Sequence, residues 1–244
     1  GYKRAFGSDT VPTSYEDLER ADLVVLVGTN TAWCHPVLFQ RLLAAREADP
    51  SKRLVVIDPR RTSTSEEADL HLALQPGSDV ALFCGLLDHL RRNGAVDYDF
   101  LEQSVQGFGP TFRAARESAP SMAIVARACG VPEADLLRFY EWFAESDQTV
   151  SAYSMGVNQS SDGSDKVSAI INCHLATGRV GRPGCGPFSL TGQPNAMGGR
   201  EVGALANLLA APRWDRCLPP AEQRRPATGP FGHLTSNLSA ILTL

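Results

Sequence analysis

Apolar positions in the first sixty residues fall into a short continuous run, then a helical spacing, then a second continuous run. Residues 21–27 (ADLVVLV) are dominated by β-branched and other apolar side chains with polar flanks, the pattern of a strand buried on both faces of a parallel sheet. The run ends at Gly28. From Pro36 the residues Leu38, Leu42 and Ala45 share one face, which predicts a helix to about Asp49, stopped near Pro50. Arg53–Ile57 (RLVVI) repeats the strand pattern and breaks at Asp58-Pro59. A third short strand is expected over residues 70–74. Ser78 then serves as N-cap for a helix with Leu82, Leu86, Leu87 and Leu90 in register, which Gly94 stops.

Residues 100–148 read as helical packing, with Gly130-Val131-Pro132 separating two helices and Leu136, Leu137, Tyr140 and Phe143 on the apolar face of the second. A further strand is expected over 149–153, then a turn at Met155 to Gln159 and a helix over about 166–177. Nine glycines or prolines between Gly181 and Gly199 predict a long loop. From Pro212 onward there are five prolines, two glycines and few aligned apolar positions, so no fold is assigned there. The expected class is α/β: a Rossmann-like, mostly parallel sheet flanked by helices over 1–148, part of a second α/β domain lining the active site over 149–211, and an irregular tail over 212–244.

Composition narrows the function classes. With 244 residues, 43% hydrophobic and 20% charged, the chain can bury a sizeable core. A formal net charge of -4 with both signs interspersed leaves no basic field for a nucleic-acid backbone. Apolar runs such as Leu23–Val27 fall far short of the roughly 20 residues that cross a bilayer. The six cysteines include no CxxC pair, which argues against a zinc or iron-sulfur site in these residues and for reduced thiols of a cytoplasmic protein. The Gly-Tyr-Lys-Arg start, with neither an initiator Met nor a signal-peptide pattern, reads as an internal piece of a longer protein.

Three polar turns, at 28–35, 58–62 and 75–79, fall at the carboxyl ends of the predicted strands, where such sheets bind ligands. Gly28-Thr29-Asn30 precedes a helix and suits close approach of a phosphate, but lacks the GxGxxG pattern and fits a plain strand-to-helix turn equally. In Asp58-Pro59-Arg60-Arg61-Thr62 the carboxylate can accept from ribose or from guanine N–H donors, and Arg60 can meet phosphate; a capped turn with a solvated basic pair explains the same residues. Asp79 carries the same two readings, because the helix dipole favours an acid in the first turn. Gly77 belongs to that turn. Cys34 and His35 lack a third ligand or base at suitable spacing. The stretch 191–201, TGQPNAMGGRE, joins amide side chains, glycines and one arginine, and suits an extended polar ligand or a flexible connector.

Taken in order, GYKRAFGSD, VGTNTAWCHPVLF, VIDPRRT, LQPGSD, MGVNQSSDGSDK and TGQPNAMGGREVG resemble the molybdopterin oxidoreductases of the dimethyl sulfoxide reductase superfamily, most of all the catalytic subunit of assimilatory nitrate reductases. The resemblance runs from Gly1 to about Ala211. It implies that Gly28, Asn30, Asp58, Arg60, Thr62, Gly77 and Asp79 bind one guanine end of bis-molybdopterin guanine dinucleotide with molybdenum. It also implies that Met155, Gly156, Gln159, Gly192, Gln193 and Asn195 approach the cofactor. Met155 and Arg200 would flank the substrate, with Arg200 holding an oxyanion. No residue of this stretch is expected to ligate the metal; the ligating Cys and a [4Fe-4S] domain would precede Gly1. By the same resemblance the parent reduces nitrate to nitrite by oxygen-atom transfer, with electrons from ferredoxin, flavodoxin or an NADH-linked subunit, while the fragment alone is inactive.

Two rivals share these motifs: a formate dehydrogenase catalytic subunit, and a non-catalytic cofactor-binding scaffold for electron transfer. Only the loop around Arg200 favours nitrate over formate. An unrelated Rossmann dehydrogenase also ends its second strand in an acid, but the missing GxGxxG weighs against it.

Overall fold

The computed structural model describes residues 1–192 apart from Ser8 and Thr10. Two short helices, α1 (Tyr2–Phe6) and α2 (Tyr15–Arg20), precede β1 (Leu23–Val27). Helices α3 (Thr31–Cys34) and α4 (Pro36–Ala48) lead to β2 (Arg53–Ile57), and α5 (Ser63–Glu66) leads to β3 (Leu70–Leu72). A helical run follows: α6 (Asp79–Arg92), α7 (Tyr98–Ser104), α8 (Phe108–Ser118), α9 (Met122–Cys129) and α10 (Glu133–Glu145). The chain then re-enters the sheet as β4 (Thr149–Tyr153), passes through α11 (Met155–Asn158) and α12 (Gly163–Ala176), and ends its described part with β5 (Gly186–Ser189).

The five strands form one sheet in the order β3-β2-β1-β4-β5, and every pairing is parallel. Each residue of β1 is buried. Because side chains alternate across a strand, Leu23, Val25 and Val27 enter one core with Phe83, Leu86, Phe139, Tyr140 and Ile170 from the helices. Val24 and Leu26 enter a smaller core with Leu38, Phe39 and Leu42 of α4. A continuous apolar run is therefore what a strand with helices on both faces requires. The four predicted strands and helices α4, α6 and α10 stand where the hydrophobic periodicity places them; α12 starts three residues earlier than expected, and the helical stretch before Gly130 is divided into α7, α8 and α9.

One strand was hidden. β5 lies inside the stretch read as a loop, and its sequence GPFS has no alternating pattern. It forms by pairing with β4 at the sheet edge, where Pro187 costs no ladder bond to a further described strand. Tyr2 holds it from the chain start: its hydroxyl donates to the Pro187 carbonyl at 2.9 Å and accepts from the Ser189 amide at 2.7 Å. The boundary expected after residue 148 falls between α10 and β4. β4 joins the same sheet as β1, in register from Leu23 opposite Thr149 to Val27 opposite Tyr153.

Buried polar groups in the larger core are arranged to stay neutral or paired. Burial, reinforced by the Arg179 charge, holds the His174 imidazole well below its usual range. Its Nε2 shares a 2.8 Å hydrogen bond with the Ser151 hydroxyl, and its ring meets Phe143 edge-on at 5.4 Å. Arg179 lies over the same ring, 4.9 Å from the Phe143 centroid, and burial lowers its pKa to about 10. Burial also pushes the Cys84 thiol up to about 12 and Cys129 to about 11, which makes both packing groups rather than nucleophiles.

A neutral buried His174 gives stability a pH dependence. The unfolded chain takes up this proton near 6.5, whereas the folded chain does not, so the contribution is full above that pH and is lost as pH falls toward the folded value. Unfolding free energy should drop by up to about 1.4 kcal/mol per pH unit per such histidine as pH falls below 6.5. His89, half-buried and also pushed down by burial, adds to the same window. In denaturant titrations His174→Gln should flatten the slope without abolishing it; an unchanged slope would show that His174 does not carry it.

Candidate cofactor cleft

The sheet order reverses direction between β1 and β4, since the chain leaves β1 toward β2 on one side and β4 leads to β5 on the other. At such a split the loops leave in opposite directions and open a crevice at the carboxyl ends. Gly28 follows β1 there with φ 55°, in the left-handed region. Gly156, in the turn after β4, meets it backbone to backbone: the Gly156 amide donates to the Gly28 carbonyl at 3.0 Å. A Cβ on Gly156 would stand 2.8 Å from Gly28 Cα, and one on Gly28 would stand 2.9 Å from Gly156 Cα. Both positions need glycine for the same contact.

Above this contact lies a cleft of about 570 Å³, within the ~300–1,000 Å³ typical of small-molecule sites. Its walls come from each of the strand-end turns read in the sequence. Gly28, Asn30, Asp58, Arg60, Gly77, Asp79, Met155 and Gly156 all line it. Thr62, Gln159 and Gly192 are not among its lining residues. The Thr62 amide donates to the Ser65 hydroxyl at 2.8 Å, so Thr62 opens α5, and Gln159 is an exposed residue closing α11. Gly192 lies beside Met155, close enough that a Cβ there would be 3.5 Å from Met155 Cε. Gln193, Asn195 and Arg200 lie outside the described residues.

Local bonds fix the polar walls. Asp58 is 4% exposed, and its Oδ1 accepts from the Arg60 amide at 2.9 Å and from Arg60 Nε at 3.4 Å. Its backbone carbonyl accepts from His71 Nε2 at 2.9 Å, which ties the turn to β3. Among the described residues no partner holds Asp58 Oδ2, which leaves that oxygen for a donor in the cleft. The Arg60 guanidinium is mostly exposed, a cation at the rim. Asn30 Oδ1 accepts from the Thr64 hydroxyl at 2.8 Å, and that hydroxyl accepts from the Ala32 amide at 3.0 Å, so the β1 and β2 loops are locked together. His35 Nε2 donates to the Thr191 carbonyl at 2.8 Å and holds the start of the glycine-rich loop next to the cleft.

The sequence reading missed the far wall: Ser160, Ser161, Asp162 and Lys166 also line the cleft. Lys166 is buried, with Nζ 2.8 Å from Asp79 Oδ2 and 3.7 Å from Asp162 Oδ1. A readable signal existed. A lysine at the fourth position of a helix opposes the helix dipole, and such a local misfit asks for a compensating partner. Cys34 lines the cleft as an exposed thiol. Among the described residues no group of three or more His, Cys, Asp or Glu side chains is placed to hold a metal ion, and no helix is long and apolar enough to cross a membrane.

A glycine-floored cleft at the split of a parallel α/β sheet, with carboxylates after β2 and at the start of α6, stands where sheets of this kind take their ligands. The family sequence model described as molybdopterin oxidoreductase matches residues 3–238, and the chain belongs to that family. Its relatives include a nitrate reductase of Klebsiella oxytoca, 56% identical over 212 residues, covering 86% of this chain and 24% of that protein. A nitrate reductase of Shewanella frigidimarina is 52% identical over 208 residues, covering 85% and 22%. The alpha subunit of an F420-dependent formate dehydrogenase from Methanocaldococcus jannaschii is 32% identical over 209 residues, covering 86% and 30%. The chain thus spans less than a third of the length of these relatives. Among solved structures, acetylene hydratase from Pelobacter acetylenicus shares the fold at a TM-score of 0.59 with 24% identity, over 71% of this chain and 23% of that one.

The glycine contact carries a direct test. Gly156→Ala should destabilise the protein by about 1–3 kcal/mol through overpacking against backbone that has no rotamer to yield. Thermal unfolding should show the midpoint fall by several degrees; an unchanged midpoint would mean that the two turns separate without cost.

Proposed function

We propose that this chain is the part of a molybdenum-dependent nitrate reductase that binds one guanine end of bis-molybdopterin guanine dinucleotide. The observation that carries the reading is the convergence of three strand-end turns and the α11–α12 segment on one cleft at the sheet split. The residues fit such a group. The glycine floor lets backbone approach a ligand closely, Asp58 Oδ2 and Asp79 offer acceptors to the N–H donors of guanine or to ribose hydroxyls, and Arg60 offers a cation to phosphate. The amides at the N-terminus of α6, beyond Gly77, favour anionic groups in the same way.

The bound molybdenum cofactor supplies oxygen-atom transfer, here assigned to reduction of nitrate to nitrite. This chain's part is to hold and enclose it. Met155, at the cleft edge and partly exposed, gives an apolar wall beside the reacting end, with Gly192 next to it. Gln159, Gln193 and Asn195 are assigned to the pterin side, and Arg200 to the oxyanion through a bidentate guanidinium. The metal-ligating Cys and a [4Fe-4S] cluster are assigned to the rest of the parent, as is docking of a ferredoxin, flavodoxin or NADH-linked donor. A cytoplasmic location is supported by five unpaired cysteines among the described residues. The formate dehydrogenase relative supports formate oxidation as a second reading.

In the full-length parent, Asp58→Asn should lower the guanine nucleotide released per polypeptide by about tenfold, since it replaces a charged acceptor with a neutral amide. Unchanged nucleotide content would remove Asp58 from the site. Arg200→Ala should lower nitrate turnover by about a hundredfold with molybdenum content intact. Loss of the metal together with turnover would make Arg200 structural. Turnover of formate without nitrate by the metal-loaded parent would transfer the assignment to the second reading.

A further inference from the structure

Lys166 stands out because stability gives it no reason to be where it is. Its side chain is 4% exposed, at the fourth position of a helix whose dipole repels a cation. Taking an ammonium out of water costs several kcal/mol, and well-packed apolar residues commonly replace a buried ion pair without loss. Its partner Asp79 begins α6 and needs no cation there, since the helix dipole already favours an acid in the first turn. What the pair does accomplish is geometric. The starts of α6 and α12 both open on the cleft, and the 2.8 Å contact of Nζ with Asp79 Oδ2 clamps them to each other at that point.

We propose that Lys166 is a positioning residue for recognition of the nucleotide base. Resting on the reading of the cleft as a guanine site, it holds the Asp79 carboxylate in place, with Oδ2 on the ammonium and Oδ1 left as an acceptor for a base N–H donor. Asp162, whose Oδ1 is 3.7 Å from Nζ, steadies the ammonium from its own helix. The surrounding charges explain why a cation is required. Asp79 and Asp162 both lie within 4 Å of Nζ, whereas Arg60 points its charge to the rim beside Asp58, so without Lys166 those two carboxylates would be left near each other uncompensated. Lys166 therefore sets base selectivity without touching the base.

The experiment is a cycle of variants in the full-length parent, reading guanine nucleotide released per polypeptide and the thermal midpoint. Lys166→Met should lower both, nucleotide by about tenfold. Lys166→Arg should restore nucleotide content to within about threefold, because it keeps the cation. The double variant Lys166→Met/Asp79→Leu removes the unpaired buried charge and should recover the thermal midpoint while nucleotide content stays low. Recovery of both readouts in the double variant would make the pair purely structural and overturn the proposal, as would unchanged nucleotide content in Lys166→Met. Failure of the underlying guanine reading looks different: wild-type protein would release no guanine nucleotide, or Asp79→Asn and Asp58→Asn would both leave its amount unchanged.

Discussion

Backbone contact between Gly28 and Gly156 is the constraint on which the remainder of the cleft depends. Parallel neighbours β1 and β4 carry their chains to the same edge, and their following turns must then part in opposite directions. A Cβ on either glycine would stand within 3 Å of the other's backbone, so no other residue lets both turns start at this level. Once they do, the helices that follow begin around a common space, and the loops at Asp58 and Gly77 face it from the neighbouring strands. Close packing elsewhere holds this opening fixed. The sheet is covered on both faces, by the α6, α10 and α12 layer on one side and α4 on the other.

Polar groups in the protein divide by depth. In the larger core, His174 stays neutral and the thiols stay protonated, because burial disfavours their charged forms and Arg179 already supplies a cation beside the imidazole. At the cleft, charges are kept, but each is tied: Asp58 to Arg60, Asp79 to Lys166. That contrast is physical support for the functional reading, since buried charge persists in proteins mainly where it is paired and used. The placement also separates roles along the cleft. Carboxylates gather at the end of β2 and the start of α6, while Met155 and Gly192 lie on the β4 side.

Much of this was legible in the residues. The runs ADLVVLV and RLVVI are apolar at every inward position on both faces, and no helix or half-exposed strand demands that, so a covered parallel sheet followed from the pattern alone. Turn chemistry then put Gly28, Asn30, Asp58, Gly77 and Asp79 at strand ends, and the parallel topology is what makes all strand ends share one edge. Thr62 and Gln159 stand at the ends of short helices, outside the cleft lining, and their backbone amides bond to Ser65 Oγ and the Met155 carbonyl.

What tertiary structure decided lies in contacts between segments far apart in the chain. β5 exists because β4 offers it an open edge and Tyr2, more than 180 residues away, bonds to its backbone. Lys166 joins the site because α12 packs on α6 and brings Nζ to Asp79, a pairing that no local spacing encodes. Hydrophobic period and turn residues act over a few positions, so the amino-acid order alone determined β1 to β4, the longer helices and the edge at which ligands meet the sheet. Which charges stand opposite each other across the cleft depends on how those elements pack, and that was settled only by the folded arrangement.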